Sequence, residues 1–334
     1  MKVIRKILVL WIIFIIAACT DDNREVVIYT SVDQVFSQAI LKDFENETGI
    51  KVKAVFDTEE TKSTGVLNRL IAEKNNPQCD IFWSGDPVRS IILSDKGITA
   101  AYHSRFADDI NPVFKDSENH WTGFSARARV LIYNKKMLSE EEIPQSIFDL
   151  TDENLKGNFA IANPLFGTTT FHFAAIFSLL GEEKAKQFLQ DLKDNQVVIA
   201  SSNGDVKKRV MQGEVACGLT DTDDAFEAMK ESRDIGFVFP DQNGIGSLIM
   251  PNTLSIIRGG KHPENAKILF DYLLSKETEA KLAVSCAQMP LHKSVTTPED
   301  IPSLDAIVPM HIDYHKTARK LEEIQDYIKK WAEK

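Results

Sequence analysis

The chain has 334 residues, a formal net charge of −10 at pH 7 and 43% hydrophobic residues, the composition of a folded globular protein. No basic stripe stands against that acidic balance, which excludes nucleic acid as a partner. Removing the first eighteen residues takes the charge to −13 and leaves 316, more than one hydrophobic core usually organises, so two lobes are expected.

Lys2, Arg5 and Lys6 precede an unbroken apolar run from Ile7 to Ala18, the pattern of a cleaved signal peptide over residues 1–18. A run of about twelve residues is too short to span a bilayer, which takes roughly 20. The ending Ile16-Ala17-Ala18-Cys19 resembles the bacterial lipobox, in which the sulfur of Cys19 carries a diacylglycerol. Residues 19–25 then form a polar tether, and the mature chain sits lipid-anchored in the periplasm or on the outer face of the cell envelope. Cys79, Cys217 and Cys286 are too widely spaced for a disulfide framework or a zinc site and read as buried small hydrophobes, with one disulfide among them left open.

Strands and helices alternate from residue 26 onward. The β-rich Val26–Tyr29 leads to a helix carrying Val35, Phe36, Ala39, Ile40 and Phe44, which Asp33 can cap and Gly49 can end. A strand over Val52–Phe56, a helix with Val66, Leu67, Leu70 and Ile71 inward, and a strand over Asp80–Trp83 complete a βαβαβ unit. The pattern restarts after about residue 128, with strands at Val130–Tyr133, Phe159–Ala162, Val197–Ala200 and Cys217–Thr220. Helices near Phe171–Leu180, Ala185–Leu192 and Val206–Met211 interleave with them. Beyond Pro251 come a strand at Thr253–Ile257, helices around Ala266–Leu274 and Glu277–Ala283, and an amphipathic closing helix with Leu321, Ile324, Ile328 and Trp331 inward.

In open α/β sheets ligands sit beyond the carboxyl ends of the strands. Five loops at such ends are unusually polar: Thr30-Ser31-Val32-Asp33, Ser84-Gly85-Asp86, Gly167-Thr168-Thr169-Thr170, Ser201-Ser202-Asn203-Gly204 and Asp221-Thr222-Asp223-Asp224. Each alone reads as helix capping. Five together point to a shared cleft.

On several stretches the chain resembles the ferric-ion-binding family of periplasmic solute-binding proteins. They are Asp80-Ile81-Phe82-Trp83-Ser84, Trp121-Thr122-Gly123 through Arg127-Ala128-Arg129-Val130-Leu131-Ile132-Tyr133-Asn134, Leu155-Lys156-Gly157 and Met289-Pro290-Leu291. The resemblance runs from about Val26 to Leu291. It implies an α/β, two-lobe periplasmic-binding-protein fold of type II, each lobe a mainly parallel sheet flanked by helices and joined by a hinge. Residues 26–128 plus 253–303 then form lobe 1, and residues 129–252 plus 304–334 form lobe 2. It also implies a monomeric, non-enzymatic capture protein that hands a ligand to an ABC permease and ATPase complex; a sensor subunit of a receptor is the alternative role.

Family members that bind iron do so with two consecutive tyrosines, and those positions here fall on Asp223 and Asp224, while the glutamate expected after the third strand falls on Gly85. Asp33, Asp86, Asp221, Asp223 and Asp224 can still offer the oxygen-rich shell a hard cation favours, with Asp221, Asp223 and Asp224 as metal ligands. Such a carboxylate cluster needs a cationic or hydroxyl-rich ligand, because like charges ~4 Å apart repel by about 4 kcal/mol at an effective dielectric of 20. Gly167, Thr168, Thr169 and Thr170 open a helix and suit an anion. In the resembled family this loop, with the asparagine matching Asn203, holds the phosphate or carbonate that accompanies iron; Thr30 and Ser31 add a second contact. Two ligand types follow: iron(III) or a related metal with its companion anion, or a phosphorylated organic molecule such as a sugar phosphate or an aminophosphonate.

Arg127 and Arg129 sit at the expected lobe crossing, on one face of a strand, where they can meet a ligand anion or form a structural ion pair. Trp83 and Tyr29 end strands near the cleft and can stack on an organic ligand or belong to the core. Tyr102 and Tyr133 read as structural, and His311 and His315 as surface residues without a surrounding metal motif. No Gly-x-Ser-x-Gly elbow, Walker loop or His-Glu-x-x-His helix occurs in the sequence.

Overall fold

The computed structural model describes residues 24–57, 63–299 and 301–333. The expected signal peptide, Cys19 and most of the tether lie outside the described residues. No helix among the described residues is long and apolar enough to cross a membrane.

The first half opens with β1 (Glu25–Thr30), α1 (Gln34–Thr48), β2 (Lys51–Phe56), α2 (Thr64–Ala72), β3 (Ile81–Ser84), α3 (Pro87–Asp95) and the short β4 (Thr99–Ala100). β1 pairs in parallel with β2 on one side and β3 on the other, in the register Ile28↔Ala54 and Ile28↔Ile81. Helical crossovers between these strands are what parallel pairing demands. α1 stops at Gly49, whose φ of 70° lets its N–H close on Glu45 O; a left-handed residue there is the usual work of glycine. Asp33 stands at the N-cap position of α1, but its side chain makes no cap hydrogen bond.

β5 (Thr122–Asn134) is the longest strand among the described residues and belongs to both halves. Residues 122–128 pair antiparallel with β10 (Ile249–Ile257); from Arg129 on, the partners are β8 (Cys217–Asp221) and β9 (Ile235–Val238). The second half adds β6 (Phe159–Ala162), α4 (Gly167–Leu180), α5 (Glu182–Asp194), β7 (Val198–Ala200), α6 (Asn203–Gln212) and α7 (Thr222–Glu231). The resulting strand order is β2-β1-β3-β10-β5-β8-β6-β7, with β4 and β9 as side pairings on β10 and β5. α8 (Pro263–Leu273) and α9 (Lys276–Cys286) return the chain to the first half, where Ala266, Leu269, Phe270 and Leu282 join the core of β1 and β3.

Just before the crossing, β5 is tied to the returning chain of the first half through its backbone. Ala126 and Met289 exchange two N–H···O bonds of 2.7 Å. The fully buried carboxylate of Glu279 accepts the amides of Ser125 at 2.6 Å, Leu291 at 3.0 Å and His292 at 2.9 Å. Ser125 needs that support, because its φ of 46° lies where non-glycine residues are strained.

α10 (Tyr314–Ala332) buries Leu321, Ile324, Ile328 and Trp331, as its sequence pattern predicts. It packs on α4 of the second half and on α3 of the first. Trp331 Nε1 donates to Leu189 O at 2.9 Å, and its ring meets Phe173 edge-on. Cys79, Cys217 and Cys286 are free, buried thiols, and burial pushes the last two up to about 12.

Candidate functional site

Two residues of β5 govern the seam. Arg127 is 6% exposed and Arg129 is fully buried, burial that guanidinium groups tolerate only when paired and hydrogen-bonded. Arg129 Nη1 donates to Asp221 Oδ1 at 2.6 Å, Thr168 Oγ1 at 3.0 Å and Asn203 Oδ1 at 3.0 Å, while Nη2 reaches Thr169 Oγ1 at 3.2 Å and Leu219 O at 3.3 Å. Arg127 Nη1 contacts Asp221 Oδ2 and Asp223 Oδ2, each at 3.3 Å, and Nη2 crosses to Gly85 O at 2.7 Å. Burial works against the charge of Arg127, but Asp223, Asp221 and Asp33 outweigh it and raise its pKa. The neighbouring His172 is driven the other way, held well below its usual value by burial and by Arg129, and is therefore neutral.

The second-half wall converges on one point. Thr168 Oγ1 donates toward both oxygens of Asp221 at 3.0 and 3.1 Å, and Asn203 Nδ2 donates to Thr168 Oγ1 at 2.8 Å and to Asp221 Oδ2 at 3.1 Å. Gly167, with a φ of 59°, starts α4, and no side chain caps that helix. Thr168, Thr169, Gly167, Asn203, Ser201, Ser202 and Phe166 line a recess at this helix start. The Thr170 hydroxyl is buried without a hydrogen-bond partner.

The first-half wall is arranged differently. Thr30 Oγ1 accepts Val32 N at 3.0 Å, Ser31 Oγ accepts Gly85 N at 3.0 Å and Ser84 Oγ accepts Asp86 N at 3.3 Å. Asp86, fully buried, caps α3 through Arg89 N and pairs with Arg89 Nη1 at 2.9 Å. Ser84 and Asp86 are expected on the cleft surface; the structure corrects this, because Ser84 closes on the Asp86 amide and Asp86 is taken up by its cap and its ion pair with Arg89. Trp83 is likewise a correction: its ring is fully buried and packs tilted on Phe124, 5.6 Å between centroids, so it cannot stack on a ligand. Tyr29 is core too, its hydroxyl on Glu73 and the Arg69 guanidinium over its ring.

The expected metal triad of Asp221, Asp223 and Asp224 meets a third correction. Among the described residues no group of three or more His, Cys, Asp or Glu is placed to hold a metal ion. The reason is pairing: Asp221 and Asp223 face Arg127 and Arg129, and Asp224 faces Lys207 at 3.3 Å. The counter-charge that the acidic loop requires comes from the chain itself. Gly85 carries the same message, since a Cβ there would lie 2.9 Å from Arg127 Nη2; the guanidinium occupies the space a side chain at position 85 would take. The sequence signal for this pair is two arginines, two residues apart, running into the apolar stretch Val130–Ile132.

Two α/β halves meeting at a polar seam, joined by shared strands, make the mixed α/β periplasmic-binding-protein fold, whose business is to hold a solute. Residues 39–308 match the model of bacterial extracellular solute-binding proteins, and the chain belongs to that family. It is a non-catalytic solute-binding protein of ABC import. Iron uptake protein A1 of Synechocystis is 26% identical, covering 88% of this chain and 86% of its own length. A Salmonella typhimurium protein named for binding 2-aminoethylphosphonate is 24% identical, covering 90% and 83%. Among solved structures, iron-bound HitA from Pseudomonas aeruginosa superposes with a TM-score of 0.82 at 22% identity, over 91% of this chain and 99% of that one. AfuA from Actinobacillus pleuropneumoniae, with fructose-6-phosphate bound, gives 0.81 at 24% identity, over 91% and 98%.

Proposed function

We propose that this chain is the lipid-anchored binding subunit of an ABC importer for a phosphorylated organic molecule, a sugar phosphate or an aminophosphonate. The observation that carries the reading is the buried guanidinium of Arg129 meeting Thr168, Thr169 and Asn203 at the uncapped start of α4, with that of Arg127 beside it on Asp221. Guanidinium forks, hydroxyls and helix-start amides are the donors phosphate recruits. A trivalent metal at the same point would sit beside two arginines, where each unit-charge pair ~4 Å apart adds about 4 kcal/mol of repulsion at a dielectric of 20. In this reading the phosphate lies against Arg129, Gly167, Thr168, Thr169, Thr170 and Asn203. Asp33 and Asp223 take hydroxyls or an amine. The units that close are residues 26–128 plus 253–303 and residues 129–252 plus 304–334, with the closed form presented to the permease. Lipid on Cys19 keeps the protein at the membrane.

A second reading, iron(III) with phosphate or carbonate as companion, draws on the relatives named for iron. Calorimetric titration of the soluble mature chain with glucose 6-phosphate, 2-aminoethylphosphonate, inorganic phosphate and iron(III) plus phosphate separates the two. Binding of an organic phosphate without metal supports the first; binding of iron alone among these ligands replaces it with the second.

A further inference from the structure

Asp221 occupies the anion position of its own site. Four side chains from three elements converge on this one carboxylate: Arg129 Nη1 at 2.6 Å, Arg127 Nη1 at 3.3 Å, Thr168 Oγ1 at 3.0 and 3.1 Å and Asn203 Nδ2 at 3.1 Å. The residue is 1% exposed. Two guanidinium groups, a hydroxyl and an amide are a donor set for an external oxyanion, and an internal carboxylate fills it.

The same residue has a second place to go. Asp221 is the N-cap of α7, with the extended backbone of such a cap (φ −104°, ψ 159°), and aspartate is among the preferred residues there. Its carboxylate nevertheless makes no cap hydrogen bond; Asp224 N is served instead by Asp223 Oδ1 at 3.1 Å. One side-chain rotation therefore separates two anchorages, the arginine cradle and the start of α7.

We propose that Asp221 is a built-in competitor that determines which anions the site admits. A ligand oxyanion takes over the donors of Arg127, Arg129, Thr168 and Asn203 while the carboxylate turns to cap α7. No covalent or proton-transfer step is involved. A ligand carboxylate would only exchange one monoanion for another and gain nothing from these donors, whereas a phosphoryl dianion brings more charge than it displaces. The site thus selects phosphoryl groups over carboxylates. This rests on the anion reading above, and it is a two-state element biased by the ligand's differential interaction with the two states.

The test compares wild type and Asp221→Asn, since asparagine caps a helix about as well as aspartate but carries no charge to compete. Inorganic phosphate and acetate are the probes. The variant should melt lower than wild type in anion-free buffer and regain stability with phosphate more steeply than wild type does. Its phosphate affinity should be tighter by about tenfold or more, the size of effect that removing one like charge has at a close pair. Unchanged or weaker phosphate affinity in a folded variant overturns the proposal while leaving the anion site standing, because wild type still binds. Phosphate binding by neither protein overturns both. Should the variant not fold, hydrogen exchange on wild type decides: saturating phosphate should protect the first amides of α7, and unchanged exchange there overturns the proposal.

Discussion

The two walls of the seam are built from the same residue types and do different things. On the first-half side, Thr30, Ser31, Ser84 and Asp86 close local turns, cap α3 and neutralise Arg89, so their polar atoms face one another. On the second-half side, Thr168, Thr169, Asn203 and Asp221 come from three separate elements and aim at the guanidinium of Arg129. What separates the walls is the origin of the nearby cation. Arg89 lies three residues from Asp86 on the same helix, and a local pair closes on itself; Arg129 arrives from the shared strand, and everything around it is drawn to one point.

The sharpest break of that comparison is to remove the key charge on each wall. Arg129→Met leaves Asp221 buried with its main partner gone, and Asp86→Ala does the same to Arg89, whose Nε and Nη2 already lack partners. Each should lower unfolding free energy in urea by about 3–5 kcal/mol, the usual cost of a broken buried pair. Only Arg129→Met should also abolish binding of phosphorylated ligands in calorimetry, while Asp86→Ala, folded at low temperature, should bind as wild type does. Loss of binding in both variants would mean the first-half wall holds ligand charge after all.

A smaller effect is expected where the walls touch. Gly85→Ala places a Cβ 2.9 Å from Arg127 Nη2, at the far end of a flexible side chain that can give way. Losing the charge-assisted bond to Gly85 O should lower stability by about 1.5–3 kcal/mol and weaken ligand binding by about tenfold. An unchanged dissociation constant would show that Arg127 does not communicate between the walls.

Much of the fold was legible because it follows from periodicity. β6 coincides with its expectation, and α5 and α10 bury the faces their patterns mark. β5 was underestimated, as only Val130–Tyr133 looks strand-like; Thr122 through Arg129 mixes glycine, serine and arginine, and its strand state is imposed by pairing with β10. The site was legible as a set of loops and less so as a geometry. Trp83 and Asp86 stand beside the right strand end, but depth in the fold, which no local pattern encodes, turns both inward. Conversely, Arg127 and Arg129 share one face of the crossing strand, yet whether they meet a ligand or the chain's own carboxylates depends on Asp221 of β8, about ninety residues later in the chain.

The smallest and most discriminating contrast removes one hydroxyl from each wall. Ser31→Ala deletes the acceptor of Gly85 N, and Thr169→Val deletes one of the two acceptors of Arg129 Nη2 while keeping the branched shape. Both leave a buried donor short of a partner, so each should cost about 1 kcal/mol of stability. Their effects on ligand affinity should part: Thr169→Val should weaken binding of a phosphorylated ligand about fivefold, in line with one lost hydrogen bond, and Ser31→Ala should leave it nearly unchanged. Equal losses would make both walls ligand contacts, and the difference between them would then reflect how far the seam closes rather than how each wall is built.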